Sequence, residues 1–238
     1  MLSLTILLCS CSPCEIFLEL PPTICWLWWW FGKCTKQLHH TTRLTKAFKS
    51  DLQWWHLFVT NWNGISFIDN TLARPFNCHI QTDASGHWGC GACFDRQWLQ
   101  HAWAPEWEEV SIMAKELVPI VFSCAVWGPW LTWSHTEFQC DNLSLVEAIN
   151  KGTSKDLMVM HLLRCLWFFQ ALFNIRIRIS HILRVLNISA DMVSRNQTEK
   201  FLLLYPQSSC MPVPIPLPLL QMLFPHKLDW TPQASFSI

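Results

Sequence analysis

Three short strand-like runs follow one another almost without interruption: CHIQTDA at 78–84, WGCGACF at 88–94 and QWLQHA at 97–102. Ser85-Gly86 supplies a turn after the first, and Asp95-Arg96 links the second to the third. Runs this short, with links this tight, can only fold back on themselves as an antiparallel meander. From Pro105 the pattern changes. PEWEEVSIMAKELVPIVFSCAVW carries acids at its front, where a helix dipole favours them, then an apolar stretch. Ile112, Leu117, Ile120 and Cys124 mark the face of a helix packed on a sheet, and Pro119 should kink it or leave one carbonyl unpaired.

Beyond that helix, TEFQC at 136–140 reads as a fourth strand ending at Asp141. Helices are expected over 143–150 and 156–172. NIRIRIS at 174–180 alternates cleanly, with Arg176 and Arg178 on one face and Ile175, Ile177 and Ile179 on the other. A loop over 181–188 then leads to a short helix from near Ser189. The order β-β-β-α-β-α-α-β-α predicts an α/β fold: a mixed five-stranded sheet with helices on both faces.

The flanking regions are different. Five of the 12 cysteines fall in the first 34 residues: Cys9, Cys11, Cys14, Cys25 and Cys34. Cys11, Cys14, Cys34, His39 and His40 could form a zinc site on paper, but the long apolar interval is unlike a finger loop, so they read as incidental thiols. Cys90 and Cys93 lie inside a strand and read as structural. Residues 1–32 read as an apolar, Cys- and Trp-rich leader. No basic segment precedes the apolar run, and Glu15, Glu19 and Pro21-Pro22 break it, against a signal or an anchor. Residues 33–49 hold five basic residues and no acid. DLQWWHLFVTNW follows as an amphipathic unit, so 33–76 reads as a basic connector. The PVPIPLP stretch at 212–218 makes 206–238 a Pro-rich tail without a packing period. Asn142, Asn187 and Asn196 open N-x-S/T triplets, relevant only to a secreted chain; a cytoplasmic or nuclear location is expected instead.

Composition limits the function classes. The 238 residues are 51% hydrophobic and 14% charged, which excludes disorder as the rule. Lys+Arg and Asp+Glu are balanced at 17 each, so no global field draws the chain to nucleic acid and any such contact must be local. Neutrality, 16 Trp and a mean hydropathy of +0.19 suit part of something larger.

With few acids, their placement matters. Asp83 ends the first strand and Asp141 follows the fourth. If those strands are adjacent and parallel, both carboxylates emerge at one sheet edge. Glu116 lies on the intervening helix in apolar surroundings, and Asp191 in the first turn of the last short helix. Asp141 taken alone could be a helix cap. Four converging carboxylates repel and raise one another's pKa values, and a divalent ion relieves that cost. Oxygen ligands suit Mg²⁺, and two such ions about 3.5–4 Å apart form a clamp for phosphodiester hydrolysis.

QTDASGHWGCGACF at 81–94, SIMAKELVPIV at 111–121, FQCDN at 138–142 and HILRVLNISADMVSRN at 181–196 resemble the ribonuclease H domain of retroelement reverse transcriptases, and most of all the DIRS-like, tyrosine-recombinase group of retrotransposons. DLQWWHLFVTNWNG at 51–64 resembles the segment that joins polymerase to ribonuclease H there, and LDWT at 228–231 resembles sequence beyond the domain. The resemblance implies a ribonuclease-H-like domain over 77–205 that cuts the RNA strand of RNA–DNA hybrids with two Mg²⁺ ions, or Mn²⁺. Asp83 would bridge both ions, Glu116 and Asp141 would hold the ion near the leaving 3′ oxygen, and Asp191 the ion that activates water. His181 would assist product departure or proton transfer.

Two departures stand out. The Pro-Gly usual after the loop His-Ile is Leu183-Arg184 here, and the chain has no Asp-Asp pair, so no polymerase activity is implied. Two alternatives remain: a remnant that binds nucleic acid without cutting, and a protein-interaction module built on the Trp-rich front and Pro-rich tail. Expected nucleic-acid contacts are Lys46, Lys49, Asn142, Arg176, Arg178 and Arg184, with Lys33, Lys36 and Arg43 as further cations. The expected partners are the hybrid and a separate polymerase or recombinase portion of the parent element, with no stable membrane insertion. Trp88 and Trp98 are expected to pack the sheet, Trp103 and Trp107 could border a groove, Lys115 should be solvated, and His79 and His161 should be structural.

Overall fold

The computed structural model of the chain describes residues 77–223. The leader, the zinc arrangement, the basic segment with Lys46 and Lys49, the 51–64 unit and LDWT at 228–231 lie outside the described residues. Within them, β1 (Cys78–Ala84), β2 (Gly89–Phe94) and β3 (Gln97–Ala102) form the meander. After it come α1 (Ile112–Leu131), β4 (His135–Cys140), α2 (Leu143–Lys151), α3 (Leu157–Phe173) and β5 (Arg176–His181). Three shorter helices close the chain: α4 (Ile188–Ser194), α5 (Thr198–Leu204) and α6 (Leu217–Met222). The sheet order is β3-β2-β1-β4-β5, with β4 parallel to both β1 and β5. This is the mixed five-stranded, helix-flanked sheet that the pattern predicts.

Local chemistry explains the boundaries. The α1 helix begins at Ile112 because Ser111 caps it, its Oγ accepting from the Ala114 N–H. The acidic front expected to open that helix instead makes a separate 3₁₀ turn at Pro105–Trp107. Asp156 caps α3 by accepting from the Met158 and Val159 N–H groups. Asn174 ends α3 in the left-handed region at φ 55°, so β5 starts at Arg176 and not at 174.

The main core lies between one face of the sheet and α1 with α3. Ile80, Phe138, Leu117, Ile120, Val121, Phe122, Leu162 and Leu166 are buried there. Among the described residues, α1 is the one helix long and apolar enough to cross a bilayer. It carries buried Lys115 and Glu116 and packs against β1, β2 and α3, so it serves as the core helix. On the opposite face, α4 packs across β1, β2 and β3. Gly91 makes that approach possible: a Cβ there would lie 2.5 Å from Val193 Cγ1 and 3.0 Å from the Ser194 backbone N. Trp98, Val193 and Phe201 form the small core beneath α4 and α5.

Several expectations are corrected. Trp98 is buried, but Trp88 is 64% exposed on the β1–β2 turn. Lys115 is buried, not solvated, and donates from Nζ to the Gly86 carbonyl at 2.7 Å. The partner is the β1–β2 turn, which tertiary packing brings against α1. The segment beyond Tyr205 is not a loose tail as far as residue 223. The Val213 N–H donates to the Trp98 carbonyl at 2.8 Å and the Ser209 N–H to the Arg96 carbonyl at 2.7 Å, so the Pro-rich run covers the β3 edge. Leu219 and Leu223 then enter the main core. His161 is buried, whereas His79 is exposed and pairs with Glu137 at 3.0 Å. Cys90 and Cys93 are free thiols in β2.

Candidate metal centre

The parallel pairing of β1 with β4 sets Gln81 level with Gln139. Two residues further along each chain, Asp83 and Asp141 leave the same edge of the sheet. The second turn of α1, lying over β1 and β2, adds Glu116. Each of the three offers a carboxylate oxygen, and these oxygens all lie within 4.8 Å of one another. Asp83 and Glu116 are buried, and Asp141 is half-exposed, leaving one side open to solvent.

The electrostatics are unfavourable without a cation. Burial first, then the charges of Asp83 and Asp141, push the Glu116 carboxyl up to about 9 despite a hydrogen bond from the Ala84 backbone. Burial also raises Asp83 to about 6, with Asp141 and Asp191 adding to the rise, while a hydrogen bond from Ser194 and the charge of Arg195 oppose it. Glu116 Oε2 is buried with no hydrogen-bond partner, an acceptor that folding has removed from water without replacing. Three close carboxylates with such an orphan oxygen fit one divalent ion of the hard, oxygen-seeking kind.

Asp191 stands outside this group. Its Oδ1 accepts from Arg195 Nε at 2.8 Å and from an Arg184 terminal nitrogen at 3.2 Å. It is still near enough for its charge to act on Asp83. The helix that carries it is fastened to β1 and β3 by side chains the sequence reading did not single out for the site. Ser194 Oγ donates to Asp83 Oδ2, and Ser189 Oγ donates to Gln81 Oε1 at 2.5 Å. Asn187 Nδ2 donates to the Thr82 carbonyl at 2.9 Å, and Gln100 Nε2 to the Val193 carbonyl at 2.7 Å. The spacing held a usable signal: Ser194 and Arg195 follow Asp191 by three and four residues, the interval at which helical side chains share a face.

The remaining expected residues fall as follows. His181 is exposed at the end of β5, in register with Cys140, the residue before Asp141. Asn142, and not Asp141, caps α2, accepting from the Leu145 N–H at 3.1 Å. Arg176 is half-buried and Arg178 exposed along β5. Trp107 is buried and stacks on Trp103, whose indole N–H donates to the Ser85 carbonyl.

No family model matches the sequence, and no curated protein matches it. Two solved structures are similar. One is LC11-RNase H1 in complex with an RNA/DNA hybrid, at 14% identity and TM-score 0.44, covering 52% of this chain and 99% of that one. The other is RNase H1 from the halophilic archaeon Halobacterium salinarum NRC-1, at 12% identity and TM-score 0.42, covering 52% and 98%. The sheet order, the helices on both faces and the carboxylates at the β1 and β4 ends define a ribonuclease-H-like α/β domain.

Proposed function

We propose that this chain is a retroelement-derived ribonuclease H that cuts the RNA strand of RNA–DNA hybrids. The observation that carries the reading is the buried, unpartnered Glu116 Oε2 inside the Asp83–Glu116–Asp141 group. Mg²⁺ or Mn²⁺ held there would neutralise charge on the scissile phosphate and on the leaving 3′ oxygen. The three carboxylates would hold the ion, and Ser194 Oγ donates to Asp83. In the reaction, a water oxygen bonds to phosphorus as the bond to the 3′ oxygen breaks. One proton leaves the water and one reaches the departing oxygen, and exposed His181 would assist product departure or proton transfer. The resemblance assigns a second ion to Asp191, whose Oδ1 is held by Arg184 and Arg195. The four blocks of likeness also support descent from a DIRS-like element, with the catalytic domain over 77–205, a partner polymerase or recombinase portion, and work where hybrids arise, in cytoplasm or nucleus. Contacts from Asn142, Arg176, Arg178 and Arg184 belong to the same reading.

A second reading has its own observation. Asp191 is held by two guanidiniums and stands apart from the other acids, which suits a domain that binds hybrid without cutting it. Incubating the full-length chain with a labelled hybrid and Mg²⁺ separates the two. Cleavage lost in D83N, E116Q and D141N supports the nuclease; retained affinity without cleavage supports the binder.

A further inference from the structure

The two arginines on Asp191 are not equivalent. Arg195 lies four residues along the same helix and its side chain is 33% exposed, so helix geometry itself fixes the pair. Arg184 comes from the 3₁₀ turn after β5, and its side chain is 64% exposed. Because Arg195 already serves Asp191, Arg184 can exchange it for another anion without stranding a buried charge. The turn is also accessible to something large: Leu183, Val185 and Leu186 on either side of Arg184 are each more than 60% exposed.

Counting charges sharpens the point. Asp191 and its two partners carry one surplus positive charge among themselves, and the charges of Asp83 and Asp141 also reach Arg195. The same corner lies beside three carboxylates. A second divalent ion placed against Asp191 would face both guanidiniums, and Oδ1 already accepts from both of them. A phosphodiester oxygen placed there meets the opposite situation. A guanidinium presents a planar fork that matches phosphate oxygens, and it stays protonated through the reaction.

We infer that this chain holds a single divalent ion, at Asp83, Glu116 and Asp141, and that the Arg184 guanidinium binds the scissile phosphodiester on the Asp191 side of it. Arg184 neither gives nor takes a proton. It holds the non-bridging phosphate oxygens while the water–phosphorus bond forms and the bond to the 3′ oxygen breaks. The inference rests on the nuclease reading above.

Full-length protein and Mn²⁺ as the probe test it, with bound ions counted by electron paramagnetic resonance and hybrid affinity measured in EDTA. The expected count is one tight Mn²⁺ per chain, weakened at least tenfold by D141N and unchanged in number by D191N. Arg184→Ala should weaken metal-free hybrid binding about tenfold, and Arg184→Lys should restore part of it, with melting curves showing both variants folded. Two tight ions in the wild type, falling to one in D191N, would overturn the inference while leaving the nuclease reading standing. So would wild-type hybrid affinity in Arg184→Ala. Absence of any Mn²⁺ site sensitive to D141N would remove both.

Discussion

At the residue scale, the centre is built from groups that oppose folding until a cation arrives. Glu116 and Asp83 have carboxyl groups raised to about 9 and about 6, from ordinary values of 4.5 and 3.8. A raised carboxyl favours the folded state while protonated, and that contribution fades as pH climbs through the folded value. The metal-free protein should therefore lose stability between about pH 4 and 6 through Asp83, and up to about pH 9 through Glu116. Glu116→Gln and Asp83→Asn should each raise the metal-free melting midpoint at pH 8, by roughly 2–4 °C for each kcal/mol recovered, and flatten its dependence on pH. Thermal melts from pH 5 to 9 in EDTA check this. A lowered midpoint for both variants would contradict it. Mg²⁺ should stabilise the wild type more at pH 8 than at pH 6, because the ion needs both carboxylates ionised.

At the element scale, the short helix α4 is positioned by its polar contacts with β1 and by the gap at Gly91. An added methyl would meet the Val193 side chain at 2.5 Å, so Gly91→Ala should cost about 1–3 kcal/mol. Ser194→Ala should cost less stability but loosen Asp83, and Mn²⁺ affinity with urea midpoints would separate the two effects. Unchanged metal affinity in both variants would show that α4 does not position the site. The same scale shows what was legible in the sequence. Alternation over CHIQTDA and the two-residue link at Asp95-Arg96 located the meander, because strand periodicity is local information. Asp83, Glu116 and Asp141 were legible because few acids interrupt an apolar chain. The burial of Lys115 was not, since it depends on the Gly86 carbonyl of a turn brought against α1 by tertiary packing. Nor was the packing of the Pro-rich run, which joins the fold through the Val213 N–H at a sheet edge and shows no face of its own. Leu219→Ala, in the short helix that follows, should cost about 2–5 kcal/mol by urea denaturation, as for a core leucine. A change near zero would return this segment to the status of a tail.

At the scale of the whole molecule, balanced charge leaves polyanion binding to local cations. Neutralising Lys33, Lys36, Arg43, Lys46 and Lys49 to Gln in the full chain should make hybrid affinity less dependent on salt, by up to about 0.9 in slope for each lost contact. Titrations from 50 to 200 mM salt would show it, and an unchanged slope would assign binding to the domain with Arg176, Arg178 and Arg184. The central claim is that Asp83, Glu116 and Asp141 form a working metal centre for cutting RNA in a hybrid. Its most direct measurement is cleavage of an end-labelled RNA–DNA hybrid by the full-length chain in Mg²⁺, beside D83N, E116Q and D141N. The account predicts RNA-strand products from the wild type, none in EDTA, and a loss of at least a hundredfold in each variant. Cleavage that persists in EDTA, or at wild-type rate in any of the three, would contradict it.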